Sequence, residues 1–376
     1  MRKICILSPV HKFTDIRVYR KEFSSLLSEF PYTSFFLVGQ ASSSPENEVL
    51  LDRVKKLELK YKSRFQRFLL QPYILYRILR FNADIYHLHN PDTIFIAMVL
   101  KLLRKKVIYD THEDFSRKVL VRGWVPQALR RPLSFLVSSL ELFLHNVCDG
   151  FIVTQKSQEK KFCSSTLIDN APLVATQKVA SRALDDNSKI IKLIFIGGIS
   201  EDRGLGNMLK LTEKMNRRHP TKLTLIGPVI NGLSVSDLQR ELVGNRAVSY
   251  LGVLEQERAF DILKQSHLGL ILFNDVADYA DICPNKIFEY LSCGVPFVAS
   301  DFDVWKSYFD DRELGVFFDV NKELDSLAQS LIELFTNRDK YNAFKQDSLD
   351  FVRNTYNWHS SEEHKLFALY QRVMEK

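Results

Sequence analysis

The stretch Asp281-Ile282-Cys283-Pro284-Asn285-Lys286-Ile287-Phe288-Glu289-Tyr290 decides how this chain folds and what it holds. Proline suits the first turn of a helix, where its missing N–H costs nothing, so Pro284 marks a helix start. The N–H groups of Asn285, Lys286 and Ile287 then fall among the donors a first turn leaves unpaired. With the positive end of the helix dipole behind them, they suit a diphosphate. Glu289 lies about one turn further in. There a carboxylate can accept two hydrogen bonds from a ribose diol, as an acid does in dinucleotide-binding domains. Asp281, ahead of the helix, is placed for hydroxyls of a sugar attached to that diphosphate. Gly294-Val295-Pro296 follows and leads into the next apolar run.

Upstream lies a second place fit for an anion. Glycine is scarce, 14 in 376 residues, yet Gly197, Gly198, Gly204 and Gly206 fall close together. They sit where the strand ending Leu193-Ile194-Phe195-Ile196 gives way to a helix near Leu205. Such a junction turns backbone N–H groups and a helix N-terminus toward an anion, and glycine permits close approach. Arg203, inside the cluster, adds a bidentate phosphate contact.

Around these motifs, short apolar runs alternate with longer segments of helical period, the signature of parallel sheets with crossover helices. The first half offers strands at 3–10, 33–40, 83–89, 106–111, 150–154 and 166–168, with helices at 18–30, 64–81, 93–104 and 127–146. The pattern restarts with strands at 189–196, 222–226, 248–251, 268–273, 296–299 and 315–318. The fold class is therefore α/β, with two doubly wound, Rossmann-like domains facing across a cleft, where ligands bind beyond the strand C-terminal ends. Expected boundaries are an N-terminal domain at 1–175, a polar linker at 176–188 and a C-terminal domain at 189–357. A last helix in 358–376 packs on either domain, the N-terminal one being expected.

Composition narrows the classes. Hydrophobic residues at 45% and charged residues at 26% exclude a mostly disordered chain. Cys5, Cys148, Cys163, Cys283 and Cys293 form no CxxC pair, which points to buried free thiols in a reducing cytoplasm rather than a disulfide framework or zinc module. No apolar run approaches the roughly 18–20 residues of a membrane span. His87 and His89, two apart on a strand, share a face, but no third ligand stands at a recognised spacing, so no metal is expected. Asp301-Phe302-Asp303 spells a metal-binding triplet of another fold, and its late position makes it a coincidence.

The chain resembles the family 4 retaining glycosyltransferases of GT-B fold. Their C-terminal domains carry an acid, seven residues and a glutamate, often through Pro-Asn-Lys-x-Phe-Glu-Tyr, which here runs from Asp281 to Glu289 and on to Tyr290. Val107-Ile108-Tyr109-Asp110-Thr111-His112 resembles the family's strand ending in an active-site histidine. His11-Lys12-Phe13-Thr14-Asp15-Ile16-Arg17 is similar to a first-strand loop of one branch, and His87-Leu88-His89-Asn90-Pro91-Asp92 has its usual place. The resemblance implies transfer of a sugar from a nucleotide sugar, by family analogy UDP-linked, with retention and without a metal or other cofactor. His112, Asp281 and Arg203 become the catalytic candidates. Gly198, Arg203, Asn285, Lys286, Ile287 and Glu289 become the donor-binding set, and Phe13, Asp15 and Arg17 the acceptor side.

Two departures stand out. The first acid is Asp281 where the family usually has glutamate. The phosphate loop usually reads Gly-Arg, a few residues, then Lys-Gly; here Gly198 takes the arginine position and Arg203 the lysine position, so Lys286 is expected to restore the lost cation. A sugar-nucleotide epimerase on the same fold, or a non-catalytic nucleotide-sugar-binding partner of a membrane assembly, are the rival readings. Donor incubated alone separates the first, which converts it; donor binding without turnover marks the second.

The overall charge of +7 is unevenly spread: residues 1–150 hold 24 basic and 14 acidic groups, the remainder 28 and 31. Between Arg117 and Arg131 five basic residues occur with no acid, interleaved with apolar ones. That pattern suits an anionic lipid surface and a glycan or lipid-linked acceptor, at the inner face of the membrane. No nucleic-acid recognition module is visible.

Overall fold

Along Arg2–Lys12 the side chains alternate between two cores: Ile4 and Ile6 enter one, Cys5 and Leu7 the other. A strand buried on both faces reads as a continuous apolar run, which is why the central strands were plain in the sequence. The computed structural model describes residues 1–41, 52–121, 125–173, 189–276, 279–309 and 312–376.

Two units emerge, one of 1–170 with 358–376 and one of 171–357. The linker expected at 176–188 lies outside the described residues. In the first unit, β1 (Arg2–Lys12), β2 (Thr33–Gln40), β3 (Val54–Leu59), β4 (Ile85–His89), β5 (Lys106–Thr111), β6 (Gly150–Val153) and β7 (Thr166–Leu167) form a parallel sheet ordered β3-β2-β1-β4-β5-β6-β7. In the second, β8 (Ile191–Ile196), β9 (Thr221–Ile226), β10 (Val248–Tyr250), β11 (Leu268–Ile271), β12 (Phe297–Ser300) and β13 (Gly315–Phe318) are ordered β10-β9-β8-β11-β12-β13. Strand order reverses between β1 and β4 in the first sheet and between β8 and β11 in the second. In open α/β sheets such a reversal opens a crevice beyond the strand ends.

The last helix, Glu363–Glu375, belongs to the first unit. Its Leu366, Leu369, Tyr370 and Val373 pack with Ile4, Ile6, Ile108 and Ile152, and Trp358 just before it donates its indole N–H to Ser25 (2.8 Å). Gly150 leaves the space that Leu369 fills, since a Cβ there would lie 2.9 Å from it. The cysteines correct the sequence expectation in part. All are free, but only Cys5 and Cys293 are buried, and Cys163 is exposed.

Candidate functional site

In the second unit the glycine loop leaves β8 at the strand-order reversal. Gly197 takes φ of +147°, and the Nζ of Lys286 lies where a side chain at Gly197 would stand, 2.7 Å from an added Cβ. Gly204, at φ +77°, brings the loop against the end of β11; a Cβ there would overlap the Leu272 carbonyl. Asn274 then ties the two strand ends together, its N–H donating to Asp202 O (3.0 Å) and its amide to Glu201 O (2.7 Å). The helix Leu205–Asn216 starts immediately after.

Arg203 is held half-buried in this loop. Its Nε donates to the Tyr279 hydroxyl (3.3 Å), and its guanidinium lies 5.8 Å from the Phe273 ring centre and 5.7 Å from that of Tyr279. Stacking fixes the plane and leaves most of the fork free for an oxyanion. No carboxylate pairs with Arg203 or Lys286 among the described residues. Burial lowers the Lys286 pKa, Glu289 pulls it back up, and the neighbouring Arg203 pushes it down again. Two cations left to repel each other in a part-buried loop are what a diphosphate would relieve.

The decisive stretch folds as a helix, Asn285–Ser292, led by Pro284 in extended conformation. Asn285 is exposed, and Lys286 and Glu289 are half-buried, while Ile287, Phe288, Tyr290 and Leu291 face the core. One expectation is corrected. The Ile287 N–H already donates to Pro284 O (3.1 Å), so the open donors at the tip are those of Asn285 and Lys286, and the Ile287 side chain is a core anchor. Asp281 is half-buried in the turn before the helix.

Tyr290, which the sequence did not single out, joins helix to loop. Its hydroxyl accepts the Ile196 N–H at the end of β8 (3.0 Å), and its ring occupies the space left by Gly269. Tyr290→Phe leaves that N–H unpaired, so we expect a loss of about 1–2 kcal/mol in denaturant unfolding. Donor affinity should fall with it; unchanged stability would show that water replaces the hydroxyl.

In the first unit, parallel register sets His89 beside Asp110, which places His112 next to the end of β4. His89 Nδ1 and His112 Nε2 are 2.9 Å apart and share a hydrogen bond, while His11 stacks on His112 with ring centres 5.0 Å apart. Ser8 and Thr154 steady this group, through His11 Nδ1 (2.7 Å) and the His112 carbonyl (2.6 Å). Burial first, then Arg17 and His11, lower the His112 pKa well below the usual imidazole value, so the ring is neutral at pH 7.

Beneath it lies a buried polar cluster. Glu22, His87, His89 and Asp110 offer ligand atoms within 4.8 Å of one another, so the third and fourth members that spacing could not supply come from elsewhere in the chain. A cation is already present, however. Arg17 reaches Asp110 and Glu22 at 3.1 Å each, and burial with the neighbouring Asp110 pushes the Glu22 carboxyl up toward its protonated form. The cluster is thus neutralised from within.

The residues expected on the acceptor side lie on this same stretch of chain. Arg17 is buried and spent on the two carboxylates; Phe13 is buried against Tyr19. Asp15 accepts the Val18 N–H (2.9 Å) and so caps the π-helical segment Ile16–Phe23. In the second unit, Asp301 and Asp303 both engage Lys306, at 2.6 and 3.1 Å.

Two parallel, doubly wound sheets of seven and six strands define the GT-B architecture. Sucrose-phosphate synthase from Thermosynechococcus elongatus matches with TM-score 0.70 over 100% of both chains at 14% identity. HepE of Anabaena, in complex with UDP and glucose, matches at 0.63 over 100% of this chain and 99% of its own, at 12% identity. WaaG, a glycosyltransferase involved in lipopolysaccharide biosynthesis, matches at 0.64, with 98% and 99% coverage and 11% identity. No curated protein sequence matches. Residues 21–174 match the family described as Glycosyltransferase Family 4 and residues 177–350 that described as Glycosyl transferases group 1, so the chain belongs to the family 4 glycosyltransferases. It is an enzyme that transfers a sugar from a nucleotide sugar.

Proposed function

We propose that this enzyme moves a sugar from a UDP-linked donor to a glycan or lipid-linked acceptor, with retention and without a metal, at the inner face of a membrane. The observation that carries the reading is the meeting of Arg203 and Lys286, neither paired with a carboxylate among the described residues, at the strand-order reversal of the second sheet. The Gly198, Asn285 and Lys286 N–H groups add fixed dipoles there. As the glycosidic bond breaks, charge builds on the departing diphosphate oxygen, and preorganised donors and cations stabilise it most at that moment. Those two cations take the part a metal plays elsewhere. Glu289 binds the ribose diol and Asp281 a donor-sugar hydroxyl, its shorter side chain selecting which one. The neutral His112 ring contacts the same sugar. Uridine is supported by the complexes of HepE with UDP and with UDP-glucose.

Calorimetry with UDP and UDP-sugars tests the donor site. Glu289→Ala removes a charged acceptor of two hydrogen bonds, so affinity should fall roughly 10- to 100-fold. Undiminished affinity in a folded variant would remove Glu289 from the site.

A further inference from the structure

One face of the first sheet is covered by the helices Gln71–Phe81, Ile94–Leu102 and Gln127–Val147, whose inner sides supply Ile74, Ile78, Ile96, Leu100 and Leu144 to a single core, and the short helix Arg64–Leu69 leads into the first of them. Their outer sides are unlike the rest of the surface. Leu129, Leu136 and Phe143 recur every seven residues along the longest helix, with Phe135 and Leu142 beside them, and all five are exposed. Phe65, Phe68 and Leu69 stand more than half exposed on the shortest, and Tyr73, Tyr76 and Phe95 are exposed on its neighbours. By contrast, no aromatic residue is among the exposed large hydrophobics of the second unit's described residues. An apolar surface of this kind marks an interaction site.

Charge says which kind. The four helices contain one acidic residue, Glu141, and it is buried. Arg77, Arg80, Arg130 and Arg131 are basic groups of the same layer. Beside it a shallow groove of about 520 Å³ is lined by Lys55, Arg77 and Arg80 with Phe36, Tyr73 and Tyr76. Each arginine lies against a tyrosine ring, 5.6 Å for Arg77 on Tyr73 and 5.7 Å for Arg80 on Tyr76, which orients its charge. Aromatic and aliphatic groups interleaved with arginine, and no exposed acid, complement a surface that is apolar beneath and anionic at its boundary. No helix of the described residues is long and apolar enough to cross a membrane.

We propose that this helix layer docks on the headgroup region of an anionic bilayer, with the arginine groove seating a lipid phosphate and the exposed rings entering the boundary with the acyl chains. The proposal rests on the reading of the chain as a transferase with a lipid-linked acceptor, and names the surface that brings the first unit to it. Co-sedimentation of the full chain with vesicles tests it, phosphatidylcholine mixed with phosphatidylglycerol being compared with phosphatidylcholine alone. Binding should need the anionic lipid and fall as salt is raised. Arg77→Gln with Arg80→Gln should weaken it roughly thirtyfold. Phe135→Ser with Leu136→Ser, both exposed and so free of core cost, should weaken it roughly a hundredfold. Melting temperatures of both variants should stay at the parent value.

Equal binding to both vesicle types, or variants that bind as the parent does, would overturn the proposal. So would concentration-dependent self-association that the serine pair abolishes, since the face would then belong to a second copy. Donor calorimetry without vesicles separates this from the functional reading. Donor binding without vesicle binding defeats the docking alone; vesicle binding without donor binding defeats the transferase reading alone.

Discussion

Arg203→Ala should lower kcat/KM for sugar transfer by about 100- to 1000-fold while leaving the protein folded, the scale seen when one preorganised stabiliser of a developing oxyanion is removed. The expectation rests on how the guanidinium is held. Tyr279 and Phe273 fix its plane and the loop after β8 fixes its position, so little ordering remains to be done when the diphosphate departs. Arg203→Lys should recover only part of the loss, because a point charge on a flexible stem neither stacks on those rings nor offers two parallel N–H bonds. Lys286 makes the test sharper. The two cations act on each other directly, Arg203 being one of the causes that lower the Lys286 pKa. The double change Arg203→Ala with Lys286→Ala should therefore cost something other than the sum of the single changes. Steady-state kinetics of the four proteins decide it. A single-variant loss of only a few-fold would take Arg203 out of the transition state.

What could be read from the chain beforehand, and what could not, divides along physical lines. The doubly wound pattern was plain because most strands are buried on both faces and read as apolar runs. β3 was missed for the opposite reason. It pairs with β2 alone at the sheet edge, and its Lys55, Lys56 and Glu58 interrupt the buried Val54, Leu57 and Leu59, so the segment carries no continuous apolar run. The phosphate loop and the Asn285 helix were legible because local rules fix them: glycine where φ is positive, proline ahead of a first turn. Partners distant in sequence were not. Nothing near Arg17 announces Asp110, and its place in a loop after the first strand suggested a ligand contact rather than a buried ion pair. Tyr290 was passed over for the same reason, since its work is to receive an N–H from a strand ninety-four residues earlier. Ile287 failed at finer grain: the tight first turn pairs its N–H with Pro284, one residue sooner than an open first turn would allow.

His112→Ala should lower kcat by about a hundredfold and change donor affinity little, because a contact to the reacting sugar counts most in the transition state. The state of the ring gives a second readout. Its Nε2 is committed to His89, so under the proposed function the other nitrogen is the one that would meet a sugar hydroxyl. A hydroxyl donates and accepts, so either neutral tautomer serves. The imidazolium can only donate, so protonation removes the ring as an acceptor of the hydroxyl's own proton. Since burial, Arg17 and His11 all lower the His112 pKa, protonation sets in only well below the ordinary imidazole range. As pH falls through about 6.5, the unperturbed imidazole value, kcat should hold level, and any loss assigned to this ring should come at lower pH. The same direction applies to His89, lowered chiefly by its own burial, so the pair loses its shared hydrogen bond late in an acid titration rather than early. A kcat–pH profile with its acid limb at the ordinary imidazole value, absent in His112→Asn, would show a ring that is solvated and charged in the working enzyme, contrary to the packing that places it between His11 and His89.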